Sequence, residues 1–430
     1  MAEERIRAVY RIETPLPPDQ AAEVLAGEQS SGTFVSIPGE TDELRERCRA
    51  RVENVIHVES YPDPTLPGSR VTPGAPSEFH RAEITISWPL QNVGYNLPTI
   101  VSTLCGNLFE LAELSGIKLM DVEFPPSFAQ HFSGPKFGIE GTRRLTGVRD
   151  RPMIGTIIKP SVGMSPEQTA ELVRQLTDAG IDFVKDDELM ADPPHSRFDR
   201  RVDAVMRVIN DHADRTGKKV MYAFNVTDEL DAMLRHHEKV RSAGGTAVMV
   251  SLNSAGLAGV KRLCDHGATG EATGGAVAVH GHRNGWGMLN RHPWLGIEFA
   301  AYQKLWRLAG VDHIHVNGIA NKFWEDDDSV VRSIQSCLAP MLGGYSILPV
   351  VSSGQTGLQA PETHRRTRTI DLLYMAGGGI IAHPHGPAAG VTAIRQAWEA
   401  AVAGTDLGEY ASTHVELRHQ IEKFGGGRQS

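Results

Sequence analysis

The densest group of chemically active side chains in this sequence is Lys185, Asp186, Asp187 and Glu188, which directly follows the apolar stretch GIDFV. In a β-strand, Lys185 and Asp187 would point to one side and Asp186 to the other, while Glu188 could turn inward at the strand end. Carboxylate oxygens are ligands that favour Mg²⁺. A buried lysine there could also react with CO2, and its carbamate would add a third oxygen ligand. The alternative is a salt-bridged strand end at the surface.

Lys159 closes a second apolar stretch, GTII, and precedes Pro160. Burying an ammonium group is costly and lowers its pKa toward a range that suits proton transfer. We therefore expect Lys159 to be buried and to act in acid/base catalysis or in stabilising an enolate. The alternative is a structural ion pair.

Histidines occur as two pairs in similar positions: His280 and His282 precede Arg283, and His313 and His315 lie in another apolar run. Arginine binds a phosphate or carboxylate in a fork, and histidine can transfer a proton. A single histidine would more often be a core residue, but two pairs at strand ends favour a function. His-x-His spacing also occurs in zinc sites, although no third, softer ligand lies at motif spacing.

These residues end a repeated unit of apolar run, polar end and helical segment that extends from Met153 to about Ala403. We count eight runs, from MIGTIIKPS to GGGIIAHP, separated by helical patterns such as Pro166 to Ala179, Asp228 to Ala243, Glu298 to Ala309 and Pro361 to Met375. The pattern predicts a (β/α)8 TIM barrel, an α/β fold whose active site lies at the C-terminal strand ends. Loops after the last two strands often bind phosphate there, which draws attention to Ser352, Ser353, Gly354, Gly377, Gly378 and Gly379.

Before the barrel, we expect an α+β N-terminal domain of the ferredoxin-like kind, over residues 1–145, with the barrel domain over residues 146–430. Strand-like alternation covers Arg7 to Ile12 and Ala82 to Trp88, and helical spacing covers Asp42 to Val52 and Thr99 to Leu114. The prolines between Glu59 and Ser77 indicate a loop or hairpin excursion. After the barrel, a helical extension should continue through Lys423.

Composition excludes several classes of protein. The 430 residues carry 43 Lys and Arg against 52 Asp and Glu, for a net charge of -9, and no basic run suggests a nucleic-acid partner. The four cysteines are scattered, so no disulfide framework is expected. Without a basic-then-apolar leader or an apolar run of roughly 18 residues, the sequence predicts a cytoplasmic enzyme that does not contact a membrane.

Taken in order, the motifs resemble the large subunit of ribulose-bisphosphate carboxylase (RuBisCO) over nearly the whole chain. GTIIKP resembles the first-strand lysine motif, DFVKDDE the metal motif, and HGHR and DHIHVNGIANK the later barrel motifs. LPVVSSG and AGGGIIAHP resemble the phosphate-binding ends of the last two strands, and EQSSGTF and CGNLF resemble two N-terminal motifs.

The resemblance implies a role for each matching residue. Catalysis would involve Lys159 as the base, His282 as an acid/base residue, the mobile-loop Lys322, and Glu28 and Asn107 from the N-terminal part. Mg²⁺ would be held by Lys185 as a carbamate, Asp187 and Glu188. The substrate and its phosphate would contact Thr33, Arg283, His315, Ser352, Ser353, Gly354, Gly377 and Gly378. In this family the N-terminal domain of one subunit covers the barrel of another, which implies a homodimer with shared active sites.

Departures from the family pattern are concentrated near the substrate. Ser161 stands where the family has a second lysine, Phe34 replaces a tryptophan, Ser353 replaces a glycine, and the loop around Lys322 reads NKFWEDDD in place of GKLEGE. The loop after HR reads NGWG rather than AMHA. Losing a cation and reshaping the closing loop would weaken CO2 fixation and leave metal and enolate stabilisation intact. The sequence is therefore identified as a RuBisCO-like protein (form IV) rather than a carboxylase.

The resemblance also implies the reaction. The favoured one is decarboxylation, or transcarboxylation and hydrolysis, of 3-oxo-isoapionate 4-phosphate, because loss of CO2 from a β-keto acid yields the kind of enediolate that the carboxylase makes. The alternatives are an enolase or isomerase of a methylthio-sugar phosphate, a true ribulose-bisphosphate carboxylase, and a non-catalytic dimer. Charges retained at many strand ends argue against the last, since unneeded buried charge costs stability.

Overall fold

The computed structural model describes residues 3–31, 38–69, 78–266 and 276–426 of the chain. These form two compact units, one of Met1–Ser133 with Gly285–Trp306 and the other of Gly134–Asn284 with Arg307–Ser430. Within the described part of the chain, no helix is both long and apolar enough to cross a membrane.

The described elements are, in chain order, the following strands and helices. The strands are β1 (Arg5–Thr14), β2 (Arg51–Tyr61), β3 (Phe79–Pro89), β4 (Gly116–Glu123), β5 (Met153–Ile157), β6 (Phe183–Lys185), β7 (Met221–Asn225), β8 (Ala247–Ser251), β9 (Ala278–His282), β10 (Leu295–Ile297), β11 (His313–His315), β12 (Leu348–Val351) and β13 (Leu373–Met375). The helices are α1 (Pro18–Glu28), α2 (Asp42–Cys48), α3 (Leu90–Val93), α4 (Leu97–Cys105), α5 (Phe128–His131), α6 (Gly138–Thr146), α7 (Pro166–Asp178), α8 (Phe198–Thr216), α9 (Leu230–Ser242), α10 (Leu252–His266), α11 (Trp286–Asn290), α12 (Phe299–Ala309), α13 (Asp327–Leu338), α14 (Ala360–Thr367), α15 (Gly377–Ile381), α16 (Gly386–Ala403), α17 (Leu407–Ala411) and α18 (Val415–Phe424). Short 3-10 turns cover Asn107–Glu110, Pro194–Ser196 and Gly357–Gln359.

The first unit contains a five-stranded sheet in the order β10-β4-β1-β3-β2. β1 pairs antiparallel with β3 and β4, and its alternate residues Ile6, Ala8, Tyr10 and Ile12 are buried, as the period-two pattern predicts. Two predicted helices are shorter than expected. The one from Asp42 ends at Cys48, because the chain enters β2 and pairs with β3 instead.

The other shortened helix is the one predicted from Thr99 to Leu114. It ends at Cys105, where Gly106 takes a non-helical backbone conformation (φ -79°, ψ -128°), and the chain continues as the 3-10 turn Asn107–Glu110. The stretch from Glu59 to Ser77, expected to be a loop or hairpin excursion, connects β2, which continues to Tyr61, with its antiparallel partner β3. Residues 70–77 of that stretch lie outside the described residues.

The second unit contains a closed eight-stranded barrel in the order β5-β6-β7-β8-β9-β11-β12-β13, with parallel neighbours throughout. This confirms the predicted TIM barrel. Apolar side chains near the start of the strands, such as Met153 and Phe183, form one core with Ile139 of α6. Local signals fix several helix ends, as at α7, where the Ser165 hydroxyl accepts a hydrogen bond from the Gln168 N–H (3.2 Å).

The eighth strand differs from the prediction. It is β13, whereas the predicted run GGGIIAHP begins at Gly377 as the short helix α15. The helix predicted over Pro361 to Met375 ends at Thr367, since Arg368 takes a left-handed conformation (φ 52°). The predicted C-terminal helical extension is confirmed by α18.

Candidate active site

The C-terminal ends of the barrel strands bring the predicted polar residues to one edge of the second unit. Lys159 follows β5, Lys185 ends β6, His282 ends β9, His315 ends β11 and Ser352 follows β12. Since all these strands are parallel neighbours in a closed barrel, their ends converge as predicted.

Lys185 is enclosed in the barrel, with only 1% of its side chain exposed. Its Nζ donates hydrogen bonds to the Asp186 carbonyl oxygen (2.8 Å) and to the Met249 Sδ (3.2 Å), and lies 4.0 Å from the Glu188 Oε2. Burial lowers the pKa of this amine to about 8, although the nearby carboxylates oppose the shift. A neutral amine, the form that reacts with CO2, is therefore accessible near neutral pH.

Asp187 and Lys159 form an ion pair, with 2.6 Å between Oδ2 and Nζ. The Lys159 Nζ also donates to the Ser161 hydroxyl (2.7 Å), at the position where the family has a second lysine. Burial would raise the pKa of the Asp187 carboxyl, but the hydrogen bond and charge of Lys159 outweigh it and leave the pKa below its ordinary value. The expectation of a fully buried Lys159 is wrong, because 38% of this side chain is exposed.

Asp186 points away from the other two carboxylates, as strand alternation predicts. It accepts hydrogen bonds from the Tyr222 hydroxyl (2.5 Å), the Arg201 Nε (3.2 Å) and the Asn225 backbone N–H (3.0 Å). The Asn225 side-chain amide in turn donates to the carbonyl oxygens of Asp187 (3.2 Å) and Glu188 (3.1 Å). These contacts fix the backbone of the predicted metal-binding segment.

Glu188 is partly exposed and faces both Lys185 and His282, whose Nε2 lies 3.6 Å from its Oε2. Burial, reinforced by the positive charge of Lys185, lowers the pKa of His282 to about 3, so the ring is neutral at physiological pH. The structure therefore brings Lys185, Asp187 and Glu188 together beside a neutral imidazole. This donor set of carboxylates and a lysine that can become a carbamate fits Mg²⁺.

His315 is buried and both of its ring nitrogens have partners. Nδ1 lies 2.9 Å from the Ser352 Oγ, and Nε2 lies 2.8 Å from Nε2 of His280. A phosphate could contact this ring only in place of one of these partners.

Arg283 forms a buried ion pair with Glu325, with 2.7 Å between its NH2 and the Glu325 Oε2. The same carboxylate accepts hydrogen bonds from the Asn317 side-chain amide (2.6 Å) and the Ser329 hydroxyl (2.9 Å). Glu325, which lies three residues after Lys322, is a site residue that was not predicted from the sequence. Lys322 is exposed, and its backbone N–H donates to the Ser353 carbonyl oxygen (3.1 Å).

The small residues after β12 and β13 provide backbone groups close to the site. Ser353 and Gly354 both take left-handed conformations, with φ of 75° and 85°. For Ser353 this is unusual, and its hydroxyl donates to the Asn317 side-chain oxygen (2.7 Å). At Gly377 a Cβ would lie 3.9 Å from the Lys159 Cε, whereas Gly378 faces open space.

The remaining predicted residues belong to the first unit. Glu28 ends α1, and Asn107 is exposed at the start of a 3-10 turn that packs against that helix. Thr33, like the neighbouring Phe34, lies outside the described residues. The roles assigned to these three residues therefore stay predictions.

The fold and the site together define a class of protein. Its members have a parallel (β/α)8 barrel with two lysines and two carboxylates at the ends of the strands. Sequence models of the ribulose bisphosphate carboxylase large chain match most of the chain, the catalytic domain at residues 138–424 and the N-terminal domain at residues 2–128. The chain belongs to the ribulose bisphosphate carboxylase large chain family.

Known proteins similar to this chain include several of the RuBisCO-like kind. A protein of Xanthobacter autotrophicus named 3-oxo-isoapionate-4-phosphate transcarboxylase/hydrolase is 51% identical over 420 residues, 97% of this chain and 99% of that one. A Rhizobium etli protein named 3-oxo-isoapionate-4-phosphate decarboxylase is 46% identical over 427 residues, 98% of this chain and 99% of that one. The crystal structure of a RuBisCO-like protein from Burkholderia fungorum is 46% identical, with a TM-score of 0.90 over 98% of this chain and 100% of that one. These similarities confirm the resemblance drawn from the motifs.

Proposed function

We propose that this protein removes the carboxyl group of 3-oxo-isoapionate 4-phosphate, as CO2 or by carboxyl transfer and hydrolysis, with Mg²⁺ and a carbamate on Lys185. The observation that carries the proposal is the placement of the buried Lys185 beside Asp187 and Glu188, with Lys159 2.6 Å from Asp187. The names of the relatives at 51% and 46% identity support the choice of substrate.

The side chains of this site divide the work of decarboxylation. Breaking the carbon–carbon bond to the departing CO2 leaves its electron pair on the neighbouring carbon as an enediolate. When bound, Mg²⁺ would polarise the substrate carbonyl and stabilise the negative charge that develops. Lys159 carries the proton that this carbon must receive, and Asp187 holds its ammonium group in place. His282, which is neutral, can accept or donate a hydrogen bond without adding charge.

Phosphate would bind at the far side of the mouth. Arg283 supplies the charge, and the backbone N–H groups near Gly354, Gly377 and Gly378 supply further donors. Glu28, Thr33 and Asn107 would approach the barrel of a second copy in a homodimer, so that two shared sites form.

The decisive experiment incubates the purified protein with Mg²⁺, bicarbonate and three candidate substrates: 3-oxo-isoapionate 4-phosphate, a methylthio-ribulose phosphate and ribulose bisphosphate. We expect the first to be consumed, by CO2 release or by hydrolysis. Solvent deuterium uptake from the methylthio sugar without CO2 release would favour the enolase or isomerase instead. Incorporation of label from bicarbonate into a product of ribulose bisphosphate would show carboxylase activity and would refute the proposal.

Lys159→Met tests the proposed proton donor. The variant should lose turnover and should bind Mg²⁺ at least as tightly as the wild type, because the ammonium group that competes for Asp187 is gone. Lys239→Met is a matched control, since Lys239 also lies 2.6 Å from an aspartate, Asp203, but on the helical surface. Turnover that survives in Lys159→Met would refute the assignment.

A further inference from the structure

A continuous line of buried polar side chains runs through the barrel from α6 to the end of β12. It passes from Thr142 through His313, His280 and His315 to Ser352. The successive contacts are 2.7 Å from Thr142 Oγ1 to His313 Nε2, 3.4 Å between the Nδ1 atoms of His313 and His280, 2.8 Å between the Nε2 atoms of His280 and His315, and 2.9 Å from His315 Nδ1 to Ser352 Oγ. Of these residues, Ser352 and His315 are the two predicted from the sequence to contact the substrate.

Thr142, at one end of this line of side chains, determines the direction of its hydrogen bonds. The Thr142 hydroxyl also lies 2.5 Å from the Gly138 carbonyl oxygen, which can only accept a hydrogen bond. The single hydroxyl proton of Thr142 is therefore directed to Gly138. His313 must donate its Nε2 proton to Thr142, which leaves its Nδ1 as an acceptor.

Each neutral ring then fixes the next one, because a neutral imidazole carries one donor and one acceptor nitrogen. His280 donates from Nδ1 to His313 and so accepts at Nε2. His315 donates from Nε2 to His280 and so accepts at Nδ1. Ser352 must therefore donate its hydroxyl proton to His315.

The rings are neutral for a physical reason. Burial lowers the pKa of His313 to about 3 and holds the pKa values of His280 and His315 well below the ordinary value for histidine. The ring of Phe183 packs against His280 and His313, with centroids 5.2 and 5.9 Å apart, and offers no polar partner. An added proton would also place two N–H groups face to face at one of the contacts.

We propose that Thr142, His313 and His280 are positioning residues that lock the tautomer of His315 and the hydroxyl proton of Ser352. In this arrangement the Ser352 Oγ can only accept a hydrogen bond from the substrate. The Nδ1 of His315 carries no proton in this arrangement, so it cannot donate a hydrogen bond to a phosphate. This differs from the role that the sequence resemblance implies. Thr142 is itself buried, and its hydroxyl proton is donated to Gly138. The line of side chains therefore fixes the positions of its protons and does not conduct protons to solvent.

Neutron diffraction from crystals of the perdeuterated protein tests the tautomers without any substrate. We expect deuterium on Nε2 of His313, Nδ1 of His280 and Nε2 of His315, and on the Ser352 hydroxyl directed at His315. Deuterium on Nδ1 of His315, or on both nitrogens of any of the three rings, would overturn the proposal. This result does not depend on the proposed reaction.

The effect on turnover rests on the proposed function and is tested separately. Thr142→Val removes the acceptor of the His313 proton and should lower kcat/KM about three- to tenfold, the range expected when one hydrogen bond is lost. Thr142→Ser should restore activity. Thr146→Val is the matched control, because Thr146 makes a similar hydroxyl contact to the helix backbone (3.0 Å to the Thr142 carbonyl) without touching a histidine. Equal losses of kcat/KM in Thr142→Val and Thr146→Val, or no rescue in Thr142→Ser, would show that this line of side chains has only a structural role.

Discussion

Replacing Glu325 by glutamine tests whether Arg283 binds phosphate. The two side chains are almost fully buried, and Glu325 supplies the negative charge 2.7 Å from the guanidinium group. Glu325→Gln keeps the size of the side chain, removes the charge and replaces one of the two acceptor oxygens by an NH2 donor. Two effects of opposite sign should follow, one on stability and one on phosphate binding.

The magnitudes follow from the burial of the pair. Removing one partner of a buried ion pair typically costs about 3–5 kcal/mol of stability. Two unit charges about 4 Å apart attract one another by about 4 kcal/mol at the effective dielectric of a protein. Without the carboxylate charge, part of that attraction becomes available to an anion that binds at Arg283. If a third of it reaches a phosphate in the partly solvated mouth, phosphate should bind about tenfold more tightly.

Thermal unfolding with and without inorganic phosphate measures both effects. Without phosphate, Glu325→Gln should unfold at a lower temperature than the wild type, and phosphate should raise its unfolding temperature more than it raises that of the wild type. Glu13→Gln is the matched control. Glu13 is a buried carboxylate in the first unit that pairs with Arg81 at 2.9 Å, so its replacement should destabilise the protein without changing the response to phosphate.

Two results would refute this reasoning. If phosphate stabilises Glu325→Gln no more than the wild type, Arg283 is not a phosphate ligand. If Glu325→Gln and Glu13→Gln both gain the same response to phosphate, the gain reflects general loss of negative charge and not the site.

Three further predictions concern pH. The rate of carbamate formation on Lys185, followed by ¹³C NMR at fixed dissolved CO2, should increase up to about pH 8 and then level off, because only the neutral amine attacks CO2 and burial lowers the pKa of this amine to about 8; a rate that levels off only near the ordinary lysine value of about 10.4 would contradict this. Arg151 and Lys218 outweigh the burial of Asp182 and hold its pKa below the ordinary value, so its carboxylate stabilises the fold at neutral pH and this contribution is lost in acid. Asp182→Asn should therefore lose about 3–5 kcal/mol in urea unfolding at pH 7 and approach the wild type at low pH. Between about pH 3 and about pH 6.5, His313 takes up a proton only on unfolding, because its pKa in the folded protein is about 3. This residue alone should therefore lower the free energy of unfolding by up to about 1.4 kcal/mol per pH unit of acidification, and His313→Asn should remove that part of the slope.

The barrel could be predicted because buried parallel strands and amphipathic helices leave different periodicities in a sequence. The prediction failed where a strand and a neighbouring helix have similar amino-acid composition. The eighth strand has three residues, Leu373–Met375, and continues the apolar spacing of the helix before it. The next apolar run, from Gly377, has strand-like composition but forms α15. Only the pairing of Leu373 and Tyr374 with β5 and β12 distinguishes them.

Within the site, the directions of the side chains followed from strand alternation as far as the strand continued. Lys185 is buried and Asp186 points away, as expected for β6. Lys159 lies beyond the end of β5, where alternation no longer applies, and it is more exposed than its apolar neighbours suggested. Glu325 could not be chosen from the acidic run that it begins, because the four residues are chemically alike and only the fold places one of them against Arg283.

The charges of the site also explain why CO2 and a divalent cation should bind together. With Lys185 protonated, it and Lys159 carry two positive charges, which balance the negative charges of Asp187 and Glu188, and a cation gains little by entering. A carbamate would replace one of those positive charges with a negative one and leave an excess of two negative charges, which a divalent cation neutralises. Burial lowers the cost of deprotonating Lys185, because the pKa of its amine is about 8. The same enclosure that makes a charged lysine unfavourable therefore prepares it to become a ligand, and each of the two additions should strengthen the other.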